Sequence, residues 1–312
     1  MLPWVLWLLV IGTAVFFAYT FWVEPRRLAV EALALELPDL PPELEGLRLV
    51  HLSDLHCRER PGHFSEQMAR RAVQVTLEAE PDLVCLTGDL GDLSRSGTAA
   101  AELLAPLAAL TTLVVMGNHD HDRILEYQGG IKPHRHLPAD QWQAVMQAVG
   151  LRVLHNEYLT LDLRGRRVVV VGVGDPSCGW DDLPRALERA PAGDLRLILV
   201  HSPDLVDDPR SDWAQVLLCG HTHGGQIRLP GLGTPWAPVW RDRRRSAGLL
   251  RIGGVLCHVS RGVGAGVRNR FLCPPQVAVL TLTRQGGTPA VVLPRLAHDL
   301  LPEDNPVPLP GN

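Results

Sequence analysis

Leu83-Val84-Cys85-Leu86-Thr87-Gly88-Asp89 is a short apolar run that stops at a glycine and delivers a carboxylate. Brief runs rich in Val and Leu, bounded by Gly, Pro or Asp, are expected of strands buried between layers. The same design recurs at Leu47–Leu52, Thr112–Met116, Val168–Val173, Leu195–Val200, Val216–Cys219, Val255–Val259 and Val277–Leu282. Helix-length segments lie between several of them, at Ser65–Ala79, Gly97–Leu110, Gln141–Val149 and Leu183–Ala190. Strands alternating with helices, then further strands, predict a layered α/β domain. In such domains ligands collect where loops leave the C-terminal ends of strands.

Five segments place metal-ligand side chains at those ends: Asp54-Leu55-His56, Gly88-Asp89, Gly117-Asn118-His119-Asp120, His201-Ser202-Pro203 and Gly220-His221-Thr222-His223. Asp54 and His56 are two apart, so a persisting strand would put both on one face. Asp89 follows a glycine that allows close backbone approach, and its carboxylate is the natural bridge between two cations. Asn118 offers a neutral carbonyl oxygen, and His201, His221 and His223 add ring nitrogens. A nitrogen and oxygen donor set without thiolate suits Mn²⁺ first, then Fe²⁺, Zn²⁺ or Co²⁺, rather than Ca²⁺. Two such ions make hydroxide available near neutral pH and stabilise phosphoryl charge, with no protein nucleophile. A lone Asp or His at a strand end is usually a turn residue. All five segments in this order make coincidence a poor explanation.

The ordered set resembles the calcineurin-like metallophosphoesterases, whose signature runs Asp-x-His, Gly-Asp, Gly-Asn-His-Asp/Glu, His and Gly-His-x-His. The likeness extends over about residues 45–285. It is similar above all to the membrane-associated bacterial branch (YkuE- and YaeI-like phosphoesterases). The residues that carry this are Gly220-His221-Thr222-His223-Gly224-Gly225-Gln226-Ile227-Arg228-Leu229-Pro230, Ser260-Arg261-Gly262-Val263-Gly264 and Cys273-Pro274-Pro275. That branch resembles enzymes that cleave UDP-2,3-diacylglucosamine in lipid A synthesis. The resemblance implies a four-layer αββα sandwich of two mixed β-sheets around a binuclear metal centre. It assigns Asp54, His56, Asp89 and His223 to one metal, and Asp89, Asn118, His201 and His221 to the other. His119 would contact the substrate phosphate and protonate the leaving oxygen, Asp92 would orient His119, and Asp120 would be structural.

The rest of the chain supplies the setting. It has 312 residues, 46% of them apolar, enough for a sizeable core. A net charge of −4 gives no reason to expect a nucleic-acid partner. The six cysteines form no CxxC or zinc-type spacing and are expected as free buried thiols. Residues 1–23 carry no charged side chain and would extend ~34 Å as a helix, enough to cross a bilayer. A cleaved signal peptide would want a basic start, which this stretch lacks, so an uncleaved anchor is expected. Arg26 and Arg27 then place the following domain on the cytoplasmic side of the bacterial inner membrane, as a single-pass protein.

The expected division is an anchor at 1–23, a tether at 24–45 with a strand at Ala29–Leu35, a catalytic domain at 46–285, and a C-terminal strand with a Pro-rich tail at 286–312. Residues 123–138 look like a loop insertion that could cap the site. Residues 226–245 carry Trp236 and Trp240 beside Arg241, Arg243, Arg244 and Arg245, which suits a membrane surface or a solvated loop alike. Arg228, Arg261, Arg268 and Arg270 are candidate phosphate contacts. The expected function is a membrane-anchored binuclear-metal phosphodiesterase or pyrophosphatase acting on a phosphoester, with a lipid-linked nucleotide as the leading substrate. The alternatives are a phosphomonoesterase or protein phosphatase, and a non-catalytic binding module of the same fold. Sequence leaves the oligomeric state open.

Overall fold

The computed structural model describes residues 2–57, 64–91, 98–120, 123–126, 130–133, 138–239, 242–265 and 267–284. The N-terminal half contains α1 (Leu2–Ala18), β1 (Ala29–Glu36), β2 (Arg48–Leu52), α2 (Phe64–Glu78), β3 (Leu83–Thr87), α3 (Thr98–Leu104) and β4 (Thr112–Val115). Next come β5 (Arg123–Glu126), β6 (Gly130–Pro133), α4 (Ala139–Ala148), β7 (Arg152–Val153), β8 (Glu157–Leu163) and β9 (Arg166–Gly172). The C-terminal half adds α5 (Leu183–Leu187), β10 (Leu195–Leu199), β11 (Val216–Cys219), β12 (Gly248–Ile252), β13 (Val255–Val259) and β14 (Gln276–Thr283).

Twelve of these strands form two six-stranded sheets, ordered β1-β14-β2-β3-β4-β7 and β12-β13-β11-β10-β9-β8. Each is mixed. β14 runs antiparallel to β2 in the first, and β12 and β8 run antiparallel to their neighbours in the second. The period-two alternation of each strand sets the layers. Along β2, Leu49 faces the second sheet while Val50 and Leu52 face the helices. The inner layer joins Leu49, Cys85, Leu113 and Val115 to Val170, Leu197, Leu199 and Leu218. The outer face of the first sheet packs Val84, Leu86 and Val114 on Met68, Ala72, Leu104 and Trp142 of α2–α4. The outer face of the second packs Val171, Ile198 and Leu217 on Leu183 and Ala186 of α5 and on Leu205 and Val206. The result is the four-layer αββα sandwich of the expectation.

Several features depart from the sequence pattern, whereas the tether strand forms as expected. β8 and β12 were not foreseen because they are edge strands: Thr160, Asp162 and Arg251 face solvent and blur the apolar run. α3 stops at Leu104 rather than Leu110, since Pro106 has no N–H to give and the chain tightens to a 3₁₀ turn over Ala105–Ala109. The 123–138 insertion, expected as a loop, contains the antiparallel hairpin β5–β6. The strand expected inside the 24–45 tether forms as β1 and pairs with β14 along its whole length, from Ala29 opposite Gln276 to Glu36 opposite Thr283.

All six cysteines are free and buried, as expected. At the N-terminus, Trp4–Arg26 is one helical stretch long and apolar enough to cross a membrane. Its base is seated on the domain. Phe16 and Tyr19 meet the Phe271 ring edge-on, at 5.0 and 6.4 Å, and Arg270 N donates to Thr20 O at 2.9 Å.

Candidate metal centre

The loops after β2, β3, β4, β10 and β11 meet at one end of the sandwich and carry all seven expected ligands. Asp54 and His56 do not converge through strand alternation, because β2 ends at Leu52. Both residues adopt left-handed backbone, with φ of 53° and 46°, and so do Asp89, His221 and His223. Five ligand residues thus sit where non-glycine residues are rare, a strain that surrounding structure must hold. The restraint is visible in the backbone. Asp54 N donates to Gly88 O and His56 N to Asp89 O, each at 2.9 Å, so the β2–β3 ladder continues through the turns. Val263 N donates to Ser53 O at 3.0 Å and Gly264 N to Asp54 O at 2.7 Å. This clamp was not read from sequence, although Gly262 and Gly264 are its visible signal. A Cβ on Gly264 would collide with Leu55 O, and one on Gly262 would lie 2.7 Å from Asp54 Cβ.

The side chains form two overlapping groups. In the first, His56 Nε2 lies 3.2 Å from His223 Nε2 and 3.7 Å from Asp89 Oδ2, and His223 Nε2 lies 3.5 Å from Asp54 Oδ1. In the second, His201 Nε2 lies 3.2 Å from Asp89 Oδ2, and His221 Nδ1 lies 3.0 Å from Asn118 Oδ1. Asp89 Oδ2 belongs to both, as a bridging ligand must. Its other oxygen accepts from His119 N at 2.8 Å. The His119 ring stands edge-on to His56 at 4.9 Å and is half-buried, whereas His56 and Asp89 beside it are fully buried. Asp92, expected to orient His119, lies outside the described residues, as do His121, Asp122, Trp240 and Arg241.

The donors fit a pair of divalent cations. His201 Nδ1 faces Thr87 O at 2.7 Å, which places its proton there and leaves Nε2 with a free lone pair. That Nε2 is buried, has no hydrogen-bond partner and lies against Asp89. Burial, then the nearby His201, pulls His221 down to about 4, and burial, then His56, holds His223 well below the ordinary histidine value. Both are therefore neutral near pH 7, as ligands must be. Burial pulls His201 down, but the Asp89 carboxylate beside it prevails and holds it well above its ordinary value. Burial raises Asp89, and His201 with His119 overcomes this and keeps it well below the usual carboxylate range.

Other residues take supporting places. Asp120 is buried and accepts from Leu90 N, Gly91 N and Gly117 N, each at 3.0 Å, so it ties the second and third loops together. Behind the site, His51 Nδ1 and His258 Nδ1 are 2.8 Å apart and join the sheets, and His51 Nε2 meets Thr87 Oγ1 at 2.8 Å. Neither histidine stood out in the sequence, because each lies inside an apolar strand with no motif around it. Of the four arginines read as phosphate contacts, three are hydrogen-bonded or ion-paired within the chain, while Arg268 keeps Nε and Nη2 buried without a hydrogen-bond partner. Arg270 is buried and donates to Cys273 O, Gly262 O and Gly264 O. Arg261 pairs with Glu31 at 3.1 Å, Arg228 donates to Gly224 O at 3.1 Å, and Arg268 lies over the Phe64 ring at 4.7 Å.

Comparison with known proteins agrees with this geometry. The family model described as calcineurin-like phosphoesterase matches residues 47–225. Phosphodiesterase YaeI of Escherichia coli (strain K12) is 32% identical over 275 residues, 87% of this chain and 94% of that protein. The uncharacterized metallophosphoesterase YkuE of Bacillus subtilis (strain 168) is 28% identical, covering 85% of this chain and 89% of that protein. The UDP-2,3-diacylglucosamine pyrophosphatase LpxG of Chlamydia muridarum (strain MoPn / Nigg) is 25% identical, covering 83% and 90%. With two mixed sheets and a donor set suited to divalent metal at their shared end, the chain belongs to the calcineurin-like phosphoesterases, a family of metal-dependent phosphoric ester hydrolases.

Proposed function

We propose that this protein is a membrane-anchored phosphodiesterase or pyrophosphatase with two divalent cations, Mn²⁺ first among them. The observation that carries it is Asp89, whose single Oδ2 lies within 3.7 Å of His56 Nε2 and 3.2 Å of His201 Nε2. Asp54, His56, Asp89 and His223 would hold one cation, and Asp89, Asn118, His201 and His221 the other. When bound, the cations supply Lewis-acid chemistry that acidifies water and neutralises phosphoryl charge.

The chain's own residues do the rest. Thr87 O fixes the ring of His201, and Asp120 fixes the loops that present Asp89 and Asn118. His119 stands half-buried beside His56 and Asp89, where it can give a proton to the leaving oxygen, a contribution of ~10²–10⁴-fold. Asp92 would orient it. YaeI is named a phosphodiesterase and LpxG a UDP-2,3-diacylglucosamine pyrophosphatase, so a lipid-linked nucleotide is the substrate we favour for this chain. The apolar helix Trp4–Arg26 supports an anchor that keeps the site beside substrates held in the bilayer, and Arg26 with Arg27 favours the cytoplasmic face.

The test is turnover of bis-p-nitrophenyl phosphate and of UDP-2,3-diacylglucosamine by the detergent-solubilised full chain with Mn²⁺. Turnover abolished by chelation and reduced in His119→Ala is expected. Wild type no better than His119→Ala on both substrates would refute a catalytic role. Preference for p-nitrophenyl phosphate would make it a monoesterase.

A further inference from the structure

The exposed large apolar side chains outside the N-terminal helix are not scattered. Among the described residues there are six, and five of them, Leu229, Leu232, Trp236, Val267 and Leu272, lie on two adjoining segments, with only Leu77 elsewhere. The segments are zipped together: Arg228 N donates to Phe271 O and Phe271 N to Gln226 O, each at 2.9 Å, and Gln226 Nε2 donates to Val267 O at 2.7 Å. Leu232 at the tip is 81% exposed and Trp236 is 67% exposed. A gathered apolar rim of this kind marks an interaction surface.

The helix beside it says what covers it. Phe271 packs on Phe16, ten residues before the end of the candidate span at Arg26, or ~15 Å along a helix. If Trp4–Arg26 crosses a bilayer, the loop that carries Phe271 cannot remain in water. The contact is apolar rather than basic. Among the neighbouring arginines, Arg244 is paired with Asp242 at 3.1 Å and Arg245 with Asp207 at 2.7 Å, so much of their charge is cancelled within the chain. The rim also adjoins the metal centre. Cys273 Sγ donates to His223 O at 3.3 Å, and the first segment begins directly after His223.

We propose that Leu229, Leu232, Trp236, Val267 and Leu272 form a rim that sinks into the headgroup–acyl boundary of the bilayer and presses the mouth of the metal centre against the lipid surface. This rests on the membrane-anchored reading above. Trp and Leu favour that boundary, and their burial needs no anionic lipid. Substrate would then enter sideways from the membrane.

The experiment uses the full chain in phosphatidylcholine vesicles with a nitroxide on Leu232→Cys, the native cysteines being buried. A second nitroxide on Thr160→Cys reports an exposed position on β8, the far edge of the second sheet. At 232, oxygen collisions are expected to exceed those of a water-soluble nickel complex, with the reverse at 160. Equal access of the nickel complex to both overturns the rim. A chain that fails to float with the vesicles overturns both the anchor and the rim, whereas one that floats with 232 in water overturns the rim alone. A depth that appears only after phosphatidylglycerol is added, and vanishes in high salt, overturns apolar seating in favour of the basic cluster. In parallel, Leu232→Asp is expected to keep metal-dependent turnover of soluble bis-p-nitrophenyl phosphate and to lose turnover of a phosphoester embedded in vesicles. Equal turnover of the embedded phosphoester by variant and wild type counts against the rim.

Discussion

The first sheet presents Asp54, His56, Asp89 and Asn118 at its loops, while the second presents His201, His221 and His223. Every acid comes from one side and most imidazoles from the other. Neither sheet alone holds the full proposed ligand set for either cation, because each of the two groups draws on both. The site is therefore a property of the packed interface, and its accuracy depends on what keeps the sheets in register. Three connections do this close to the chemistry: the His51–His258 contact, the Thr87 O to His201 bond and the Asp54 carboxylate on His221 N at 3.1 Å.

Variants that break the shared member should have the largest effect. Asp89→Asn removes the only acid common to both groups, so turnover should fall by at least about 10³-fold with folding retained by circular dichroism. Next comes Gly220→Ala, whose new Cβ would collide with Ser53 Oγ and Asp54 Oδ2, where the two sheets touch. It should weaken Mn²⁺ binding, measured by calorimetry, by more than about tenfold. His258→Phe removes the inter-sheet partner of His51 without touching a ligand, and should lower Mn²⁺ affinity by about 10-fold. If it instead leaves affinity intact, the Thr87–His201 and Asp54–His221 connections and the apolar core suffice to align the sheets. The mildest effect is that of pH. His201 is held above its ordinary value, so below that raised value its proton must leave before a cation binds. Mn²⁺ affinity should therefore fall by about threefold as pH falls from 7.5 to 7, and calorimetry in buffers of different ionisation enthalpy should show proton release.

The strands and the seven residues that meet were legible because each donor follows a short apolar run, three of them through a glycine at 88, 117 and 220, whereas the two sheets and four layers came from the family resemblance. What was not legible is relational. That Asp54 and His56 converge was read correctly, but for the wrong reason, since left-handed turns rather than the pleat aim them. Edge strands such as β8 carry polar residues on one face and lose the apolar signal. His51 and His258 meet only across the two sheets, from positions 207 apart in the chain. The exposed leucines at 229 and 232 drew no reading beside the tryptophans and arginines of that loop, and only the fold joins their segment to Phe271, which meets the N-terminal helix.

The left-handed backbone at Asp54, His56, Asp89, His221 and His223 also bears on how this protein can change over generations. Each such residue costs of order 1–3 kcal/mol relative to a relaxed conformation, and glycine would relieve it. His223→Gly, stripped of a ligand, should give a metal-free chain that melts at a higher temperature than its metal-free parent. Inactive descendants of this protein would then be favoured by their own durability, and only selection for the reaction keeps the strained residues in place.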